Sequence, residues 1–450
     1  MVRHLGRKSS GCVIENLESR QFLSGGPAIH QPTSFVYTET DNSNAGQNAV
    51  IAYARDTAGQ LTQIGSFNTG GTGVANPAGL LGPDDSDKEV IASPNGRLLF
   101  AVNQGSNSVA VFRVHHDGSL RLVHNAPVDS GGTQPVSLSI ANDRLYVVNR
   151  GNEVQGQTGS IAPSITVFSI AHNGTLTQDA AATLTLTLGL SPSQLLISAD
   201  SRFAFLDTFT PPPLNNVAGA NQVVPFTIGA DGKLSAVSTG GVGAPVTPPL
   251  ILGLAQHPTH PIVYAGLTGA KQIGVFTFDS AGNLTLKSTF GITGGGPCWT
   301  LVSPDGKFLY SIDTGTNSVG VFSLADPLHP KQIQEFALGG PRNKTGDPSA
   351  PSQTTDFEFA LDPSGKSLYV IDHQTTADGS FPQGNALHVL SVASDGTLSE
   401  PAGSIQFLPS DIPAGADPQG VAVIAAGKDS GFDFHDQHHN DGDGAKNKDH

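Results

Sequence analysis

The chain contains the stretch Ser303-Pro-Asp-Gly-Lys-Phe-Leu-Tyr-Ser-Ile-Asp-Thr-Gly-Thr-Asn-Ser-Val-Gly-Val-Phe-Ser-Leu324. Its first four residues predict a tight hairpin turn, because glycine adopts a positive φ angle without steric strain. The segments 308–312 and 319–324 are rich in aromatic and β-branched residues, which favour strands. The stretch therefore reads as turn, strand, loop, strand.

The same pattern recurs seven times, at intervals of roughly 46 to 59 residues, which is typical of a β-propeller with four short strands in each blade. The first hairpin strands are predicted at 35–40, 99–103, 145–149, 203–207, 262–267, 309–313 and 368–372. The strands that follow them are predicted at 49–54, 108–114, 164–170, 222–228, 272–278, 318–324 and 386–392. We therefore expect an all-β fold, a single seven-bladed β-propeller.

The two ends of the repeat array predict how the ring closes. No innermost strand precedes the first copy, whereas Asp417-Pro-Gln-Gly-Val-Ala-Val-Ile424 follows the seventh. This segment resembles the innermost strands predicted at 134–140 and 297–302. We expect it to complete blade one, because this closure would remove the last unpaired sheet edge.

Composition excludes several classes of protein. The net charge of −15 disfavours nucleic acid as a partner, and no apolar run reaches the roughly 20 residues of a membrane helix. The two cysteines, Cys12 and Cys298, are not expected to form a disulfide, and neither has a second cysteine at metal-binding spacing. With 54 glycines and 31 prolines, the composition of the 450-residue chain is typical of a turn-rich β protein. We also expect the protein to be a monomer.

Residues 1–30 and 427–450 differ in composition from the propeller, which is predicted at 31–426. The leader segment Glu15-Asn-Leu-Glu-Ser-Arg-Gln-Phe-Leu-Ser-Gly25 resembles an N-terminal signature of exported bacterial proteins, which implies a periplasmic or extracellular location. The alternative is a disordered start. The tail is predicted to be disordered because it has almost no apolar residues. Its histidines and aspartates leave metal binding open as an alternative.

Long inserts at 151–163, 208–220, 341–353 and 375–384 are predicted to lie at one mouth of the central channel. The ends of the first hairpin strands would converge near the same mouth. The residues at these positions are Thr40, Asn103, Asn149, Asp207, Leu267, Asp313 and Asp372. The three carboxylates can act as acid and base, or they can bind a divalent cation such as calcium. The sequence suggests no other cofactor. The alternative is that these side chains cap turns of their own backbone.

Four further residues are candidates beside this ring. His373 can act as a general base near neutral pH, and is grouped with Asp207, Asp313 and Asp372 as a catalytic candidate. Arg150 can hold an anionic group, and Trp299 can stack on a sugar ring. Arg150, Glu153 and Trp299, together with Asn103 and Asn149, form the predicted binding set. Each has a structural alternative, for example an ion pair between Arg150 and Glu153.

The repeats resemble the lactonase family of seven-bladed propellers, which includes 6-phosphogluconolactonase-type and muconate-lactonising enzymes. The resemblance rests on Ser303-Pro-Asp-Gly-Lys-Phe-Leu-Tyr310, on Asn103-Gln-Gly-Ser-Asn-Ser-Val-Ala-Val-Phe112 and on Asp117-Gly-Ser-Leu120, and covers about residues 34–424. It implies hydrolysis of a sugar or organic-acid lactone and a role in carbohydrate metabolism. The family's active members resemble one another in a His-Pro-His stretch. The nearest match here, His257-Pro-Thr-His-Pro261, is predicted in a hairpin turn away from the channel mouth.

Three interpretations therefore remain open. The first is a lactonase-like hydrolase acting on a small lactone at the channel mouth. The second is an exported, non-catalytic propeller that binds a glycan, a protein or an envelope component. A third possibility is a metal-supported structural propeller.

Overall fold

The computed structural model describes residues 32–74, 86–152, 159–209, 219–345, 352–376, 380–413 and 416–427. The chain divides into two units, Met1–Gln31 and Pro32–His450, and all described residues belong to the second. The leader and the His/Asp-rich tail lie outside the described residues. Export and metal binding by the tail therefore stay predictions.

Seven antiparallel sheets form the seven blades of a propeller, which confirms the predicted fold. The innermost strands of blades one to seven are Val421–Ala425, Val90–Ala92, Pro135–Ala141, Ser191–Ile197, Leu252–Gln256, Pro297–Val302 and Thr354–Leu361. The second strands are Ser34–Glu39, Leu98–Asn103, Arg144–Asn149, Phe203–Phe209, Ile262–Leu267, Phe308–Asp313 and Ser367–Gln374.

The third and fourth strands complete each blade. The third strands are Ala49–Arg55, Ser108–Val114, Ser164–Ile170, Gln222–Ile228, Gln272–Phe278, Ser318–Ser323 and Ala386–Val392. The fourth strands are Leu61–Asn68, Leu120–Leu122, Leu176–Gln178, Leu234–Ala236, Leu284–Gly291, Lys331–Ala337 and Leu398–Ser399. In blades two, three and seven a short extra strand also pairs with the third strand: Val128–Asp129, Leu184–Thr185 and Gln406–Phe407. Among the described residues, three short 3-10 helices span Gln104–Ser106, Thr268–Ala270 and Pro382–Gly384.

The hairpin turn at residues 303–306 shows why the repeated sequence folds in this way. Gly306 has a φ of 72°, and its N–H donates to the Ser303 carbonyl at 2.9 Å. The Ser303 hydroxyl accepts from the N–H of Phe308 at 3.0 Å, so the turn is closed before the second strand begins. The glycine is needed because a positive φ strains most other residues.

Tyrosines at one position of the second strands lock neighbouring blades together. Tyr37, Tyr146, Tyr264 and Tyr310 are all fully buried. Each donates its phenolic hydrogen to a backbone carbonyl of the next blade, and the acceptors are Gly118, Gly232, Pro327 and Gly396, at 2.8 to 3.3 Å. The rings fill the space between blades, while the hydroxyls satisfy the carbonyls of the outer turns.

Blade one is completed by the C-terminal strand, as predicted. Val421–Ala425 pairs antiparallel with Ser34–Glu39, with Phe35 opposite Ile424 and Tyr37 opposite Ala422. The ring therefore closes between segments nearly 400 positions apart in the sequence. No helix within the described part of the chain is long and apolar enough to cross a membrane.

Candidate functional site

The connections between blades and the loops between second and third strands lie on one face, as predicted, and we call it the loop face. Gly105, in such a loop of blade two, donates its N–H to the carbonyl of Thr72 in the preceding connection, at 3.0 Å. Gly315 in blade six makes the same kind of bond to the carbonyl of Gly295, at 2.8 Å. The predicted inserts are also joined, because Thr375 donates its N–H to the carbonyl of Gln353, at 2.7 Å.

The seven strand-end residues of the predicted ring are all buried, and the asparagines among them support these connections. The Asn103 amide oxygen accepts from Thr69 at 2.5 Å and from Asn48 at 3.1 Å. The Asn149 amide donates to the hydroxyl of Thr166, at 3.1 Å. Both side chains therefore tie a strand end to its surroundings, and ligand binding by them stays a prediction.

Replacing Gly71 by alanine should destabilise the protein by about 1–3 kcal/mol, the usual range for overpacking a filled site. A Cβ atom at Gly71 would lie 2.2 Å from Cγ of Asn103. The φ angle of Gly71 is not in the left-handed region, so the clash is the only cause of the expected loss. Denaturant unfolding would measure the change. The control is Gly291→Ala, because nothing lies within 4 Å of the added Cβ there. Equal stability of the two variants would contradict the packing described.

Asp207 is buried between blades four and five. One carboxylate oxygen accepts the N–H of Gln194 at 2.6 Å, and the other accepts the N–H of Gly253 at 2.7 Å. Burial raises the pKa of Asp207 to about 7 despite these hydrogen bonds, and the charge of Asp87 adds to the shift. The carboxylate thus connects the innermost strands of two blades, and a catalytic role for it stays a prediction.

Asp313 and Asp372 lie apart from Asp207, in blades six and seven, and both interact with Asp356. Burial, and then the charge of Glu335, raises the pKa of Asp313 to about 9. Asp372 lies 3.6 Å from Nε2 of His388, whose Nδ1 is 2.6 Å from Glu400. The structure therefore places two of the three predicted catalytic carboxylates in the same buried ionisable region.

His373 and Trp299 are brought together through Phe357. The centroid of the Phe357 ring is 5.0 Å from that of His373 and 5.7 Å from that of Trp299. His373 is buried, and Trp299 has no exposed surface. The three rings pack where blades six and seven meet, and their predicted roles toward a ligand are not tested by these contacts.

Arg150 is also buried, and its guanidinium carbon lies 4.9 Å from the centroid of the Phe209 ring. This cation–π contact joins blades three and four. Glu153 lies outside the described residues, so its predicted role in binding stays a prediction, as does the alternative of an ion pair with Arg150.

The segment 86–89 crosses the central channel. The Asp87 N–H donates to the carbonyl of Ser193 in blade four, at 3.3 Å. The carbonyl of Lys88 accepts from the N–H of Leu138 in blade three, at 3.0 Å. The Lys88 N–H donates to Oε1 of Glu358 in blade seven, at 2.9 Å. Because the innermost strands of the blades surround the axis, a segment that reaches three of them lies inside the channel.

This segment forms a charged group that we call the channel cluster: Asp87, Lys88, Glu89 and Glu358. The ammonium of Lys88 lies 2.8 Å from Oδ1 of Asp87. The side chain of Lys88 keeps 34% of its surface exposed, whereas the three acidic residues are buried. Burial acts to lower the pKa of Lys88, but the charges of Asp87 and then Glu358 outweigh it and raise that pKa above its ordinary value. The lysine is therefore the charged and accessible member of the cluster.

The carboxyls of Glu89 and Glu358 are close enough to influence each other's ionisation, and Glu89 accepts a short hydrogen bond from Ser86. Burial is the largest cause that raises the pKa of each carboxyl, and the charge of Glu358 raises that of Glu89 further. Two adjacent buried carboxyls favour a state in which they share one proton. The pair can therefore present an acid and a base beside the same ammonium.

Lys88 has a φ of 76°, in the region that favours glycine. Non-glycine residues in such conformations cost on the order of 1–3 kcal/mol and are often found at functional sites. Sequence reasoning missed this cluster, although a signal was present. The run Asp84-Asp-Ser-Asp-Lys-Glu89 is densely charged in a chain with only 14% charged residues.

A metal is not favoured by the geometry of the described residues. Across these ranges, no group of three or more His, Cys, Asp or Glu side chains is arranged to hold an ion. Binding of calcium by the predicted carboxylate ring therefore gains no support from the arrangement of these side chains.

His257 and His260 occupy the hairpin turn between the first two strands of blade five, as predicted, on the face opposite the loop face. Their Nδ1 atoms lie 3.1 Å apart, and Nε2 of His257 lies 3.0 Å from the carbonyl oxygen of Gly306 in the next blade. The pair connects the turns of two neighbouring blades, far along the chain from the channel cluster.

Comparison with known proteins agrees with the fold and the repeats. Residues 48–155 match the family described as "Lactonase, 7-bladed beta-propeller". The 6-phosphogluconolactonase of Cronobacter sakazakii (strain ATCC BAA-894) is 23% identical over 347 residues, which cover 74% of this chain and 88% of that one.

Solved structures share the architecture. The periplasmic gluconolactonase PpgL of Pseudomonas aeruginosa superposes with a TM-score of 0.61 at 16% identity, and the match covers 87% of this chain and 99% of that one. A protein from Lactobacillus plantarum gives a TM-score of 0.57 at 16% identity, with 87% and 99% covered. These likenesses confirm the resemblance that the sequence predicts: the chain is a seven-bladed β-propeller similar to those of the lactonase family.

Proposed function

We propose that this protein is a lactonase-like hydrolase whose reaction takes place at the channel cluster. The observation that carries the proposal is the position of Lys88, a charged and partly exposed side chain held in the channel among three buried carboxyl groups. The likeness to 6-phosphogluconolactonase and gluconolactonase propellers supports a lactone as the substrate.

Hydrolysis of a lactone needs three contributions from the protein. A base must take a proton from water as the water oxygen bonds to the carbonyl carbon. Positive charge must stabilise the oxyanion that forms, and an acid must protonate the ring oxygen as the C–O bond of the ring breaks. The product is an open-chain hydroxy acid, which releases a proton at neutral pH.

The channel cluster contains one group for each contribution. We assign stabilisation of the oxyanion to the Lys88 ammonium, because its positive charge is retained at neutral pH. We assign the base and the acid to the Glu89–Glu358 pair, because two carboxyls that share a proton can accept one and donate the other. Asp87 holds the ammonium in place through its contact at 2.8 Å.

The proposal predicts that Lys88→Met lowers kcat for lactone hydrolysis by about 100-fold or more, as expected when an oxyanion-stabilising group is removed. Glu358→Gln should also lower kcat, because it removes one of the two carboxyls that act as acid and base. The full chain would be assayed on a panel of sugar and organic-acid lactones by proton release, with the spontaneous rate subtracted.

The matched control is Lys307→Met, because Lys307 is an exposed lysine paired with Asp305 at 3.0 Å. Its turnover should equal that of the unmodified protein. Melting temperatures of all variants would show that they are folded. Absence of turnover on every lactone by a folded protein would refute the proposal and favour a non-catalytic binding propeller.

A further inference from the structure

The channel cluster holds a cation, but the charge of that cation is already balanced. The Lys88 ammonium lies 2.8 Å from Asp87, and the backbone N–H of Lys88 donates a hydrogen bond to Glu358. Binding a phosphate usually requires arginine or lysine side chains that are not matched by a carboxylate, or the N-terminus of a helix. The helices among the described residues are three-residue 3-10 turns, so none of them supplies such a terminus.

Further acidic side chains surround the loop-face end of the channel. Glu39, at the end of the second strand of blade one, interacts with Glu358, and Asp41 interacts with Asp417 just before the closing strand. Asp207 interacts with Asp87 from the opposite side, in blade four. A lactone with a phosphate or carboxylate group would thus enter a site with several carboxyl groups and one paired ammonium. Desolvation of such an anion would be uncompensated.

Several buried polar atoms in and next to the channel cluster have no hydrogen-bond partner among the described residues. Oδ2 of Asp87 and Oε2 of Glu39 accept no hydrogen bond, and both side chains are buried. The amide group of Gln419, beside the start of the closing strand, has neither its oxygen nor its nitrogen paired. The hydroxyl of Ser137, next to the residue that bonds Lys88, is also without a partner. Sugar hydroxyls both donate and accept, so they can pair with carboxylate, amide and hydroxyl groups of this kind.

Resting on the proposed lactonase function, we infer that the channel site takes an uncharged, polyhydroxylated lactone and discriminates against lactones that carry a phosphate or carboxylate group. Arg150 does not offset the acidic surroundings, because it is buried over the Phe209 ring between blades three and four. Selectivity then arises from the Asp87–Lys88 pair: the one ammonium of the channel cluster is paired with Asp87 and assigned to the oxyanion, so the cluster has no further cation for an anionic substituent of the substrate.

The test compares kcat/KM for glucono-δ-lactone and 6-phosphoglucono-δ-lactone, measured on the full chain at pH 7.5. The uncharged lactone should be preferred by about 100-fold, which corresponds to two tenfold steps of about 1.4 kcal/mol each. The preference should persist when salt is raised, because ions screen interactions with buried charges only weakly.

A substitution makes the test specific to the ion pair. Asp87→Asn should move the ratio of the two kcat/KM values toward the phosphorylated lactone by about tenfold, because the ammonium is then no longer balanced. Because the ratio compares two substrates on the same variant, a general loss of activity in that variant does not change it. The matched control is Asp305→Asn, which removes the carboxylate of the exposed Lys307 pair, and its ratio should not change.

The possible outcomes distinguish a failure of the inference from a failure of the proposed lactonase function. Equal or better turnover of the phosphorylated lactone by the unmodified protein would overturn the inference but leave the lactonase function standing. An unchanged ratio in Asp87→Asn would also overturn it, since the pair would then not set the selectivity. No turnover of either lactone, by a protein that hydrolyses another lactone of the panel, would overturn the inference alone, whereas no turnover across the whole panel would refute the proposed function and the inference with it.

Discussion

Replacing His388 by alanine is expected to destabilise the protein by about 3–5 kcal/mol near pH 7.5, the range for breaking a buried ion pair. His388 is 2% exposed, and its Nδ1 lies 2.6 Å from Glu400 while Nε2 lies 3.6 Å from Asp372. Burial acts to lower its pKa, but hydrogen bonds to Asp372 and Glu400 outweigh burial and raise the pKa to about 9. At neutral pH the imidazolium therefore lies between the buried carboxyl of Asp372 and the largely buried carboxyl of Glu400, which alanine would leave without a cation.

The rest of this environment is acidic as well. Asp356 also interacts with His388 and is fully buried. Glu400 accepts the N–H of Gly339 at 2.8 Å, and Asp372 accepts from Asn317 at 3.3 Å. These neutral donors stabilise the carboxylates only in part, so the loss of the imidazolium should be the dominant effect.

Urea unfolding, followed by circular dichroism, would measure the change. The chain offers a matched control in His329, whose Nδ1 lies 2.9 Å from Asp326 with both side chains well exposed. Because exposed ion pairs contribute little, His329→Ala should leave stability unchanged. Similar unfolding midpoints for the two variants would show that the buried network does not stabilise the fold.

Stability should fall steadily as the pH rises from about 5 to about 9, because the folded state holds protons that the unfolded chain releases. Burial raises the pKa of Asp207 to about 7 and that of Asp313 to about 9. In the unfolded chain such carboxyls lose their protons near pH 4. Each therefore stabilises the folded state most at low pH, and this contribution is lost as the pH rises through its folded pKa.

His388 acts in the same direction. Its raised pKa of about 9 gives a contribution that is complete below about pH 6.5 and lost as the pH rises through about 9. Below pH 4 the trend should reverse, because hydrogen bonds from neighbouring residues lower the pKa of turn aspartates such as Asp200 and Asp305. We therefore expect maximum stability at mildly acidic pH, about 5.

Melting temperature measured from pH 4 to pH 9 at constant ionic strength would test this profile. One proton held across about three pH units changes the free energy of unfolding by about 4 kcal/mol. Asp313→Asn should flatten the fall, because the asparagine cannot titrate. A stability maximum at pH 8, or a flat profile, would contradict the raised pKa values.

The fold was predictable because each blade repeats a short local pattern. A turn such as 303–306 fixes one hairpin through its own backbone and side-chain bonds, so its sequence is sufficient to indicate it. The missing innermost strand of blade one and the extra segment at 417–424 then predicted closure. Both inferences depend only on the order of elements, which the structure confirms.

The candidate site was less predictable, because repeat patterns describe blades and not the segments between them. The ends of the second strands share a position, but Asn103 and Asn149 lie beneath inter-blade connections that contain glycine. Segment 86–89 leaves the repeat and enters the channel, where it contacts blades far away in the sequence. Only its density of charge marks it, and charge alone does not indicate position.

His388 and Glu358 could have been found by a different signal. Each is an ionisable residue inside a strand whose neighbours are apolar, in Ala386–Val392 and Thr354–Leu361. A buried charged residue requires a partner, so such interruptions point to buried networks. The identity of the partner depends on how neighbouring blades pack, which the strand sequence does not contain.

The closing strand also bears on the order of events during synthesis. Blades two to seven are each built from one continuous segment, so each can pair its strands soon after that segment leaves the ribosome. Blade one is different, because Ser34–Glu39 is synthesised early and one of its edges has no partner until Val421–Ala425 has been made. Until then one edge of the nascent chain stays open to pairing with another polypeptide. The newly made protein therefore loses this aggregation-prone sheet edge only when the last strand of the propeller has been synthesised and paired.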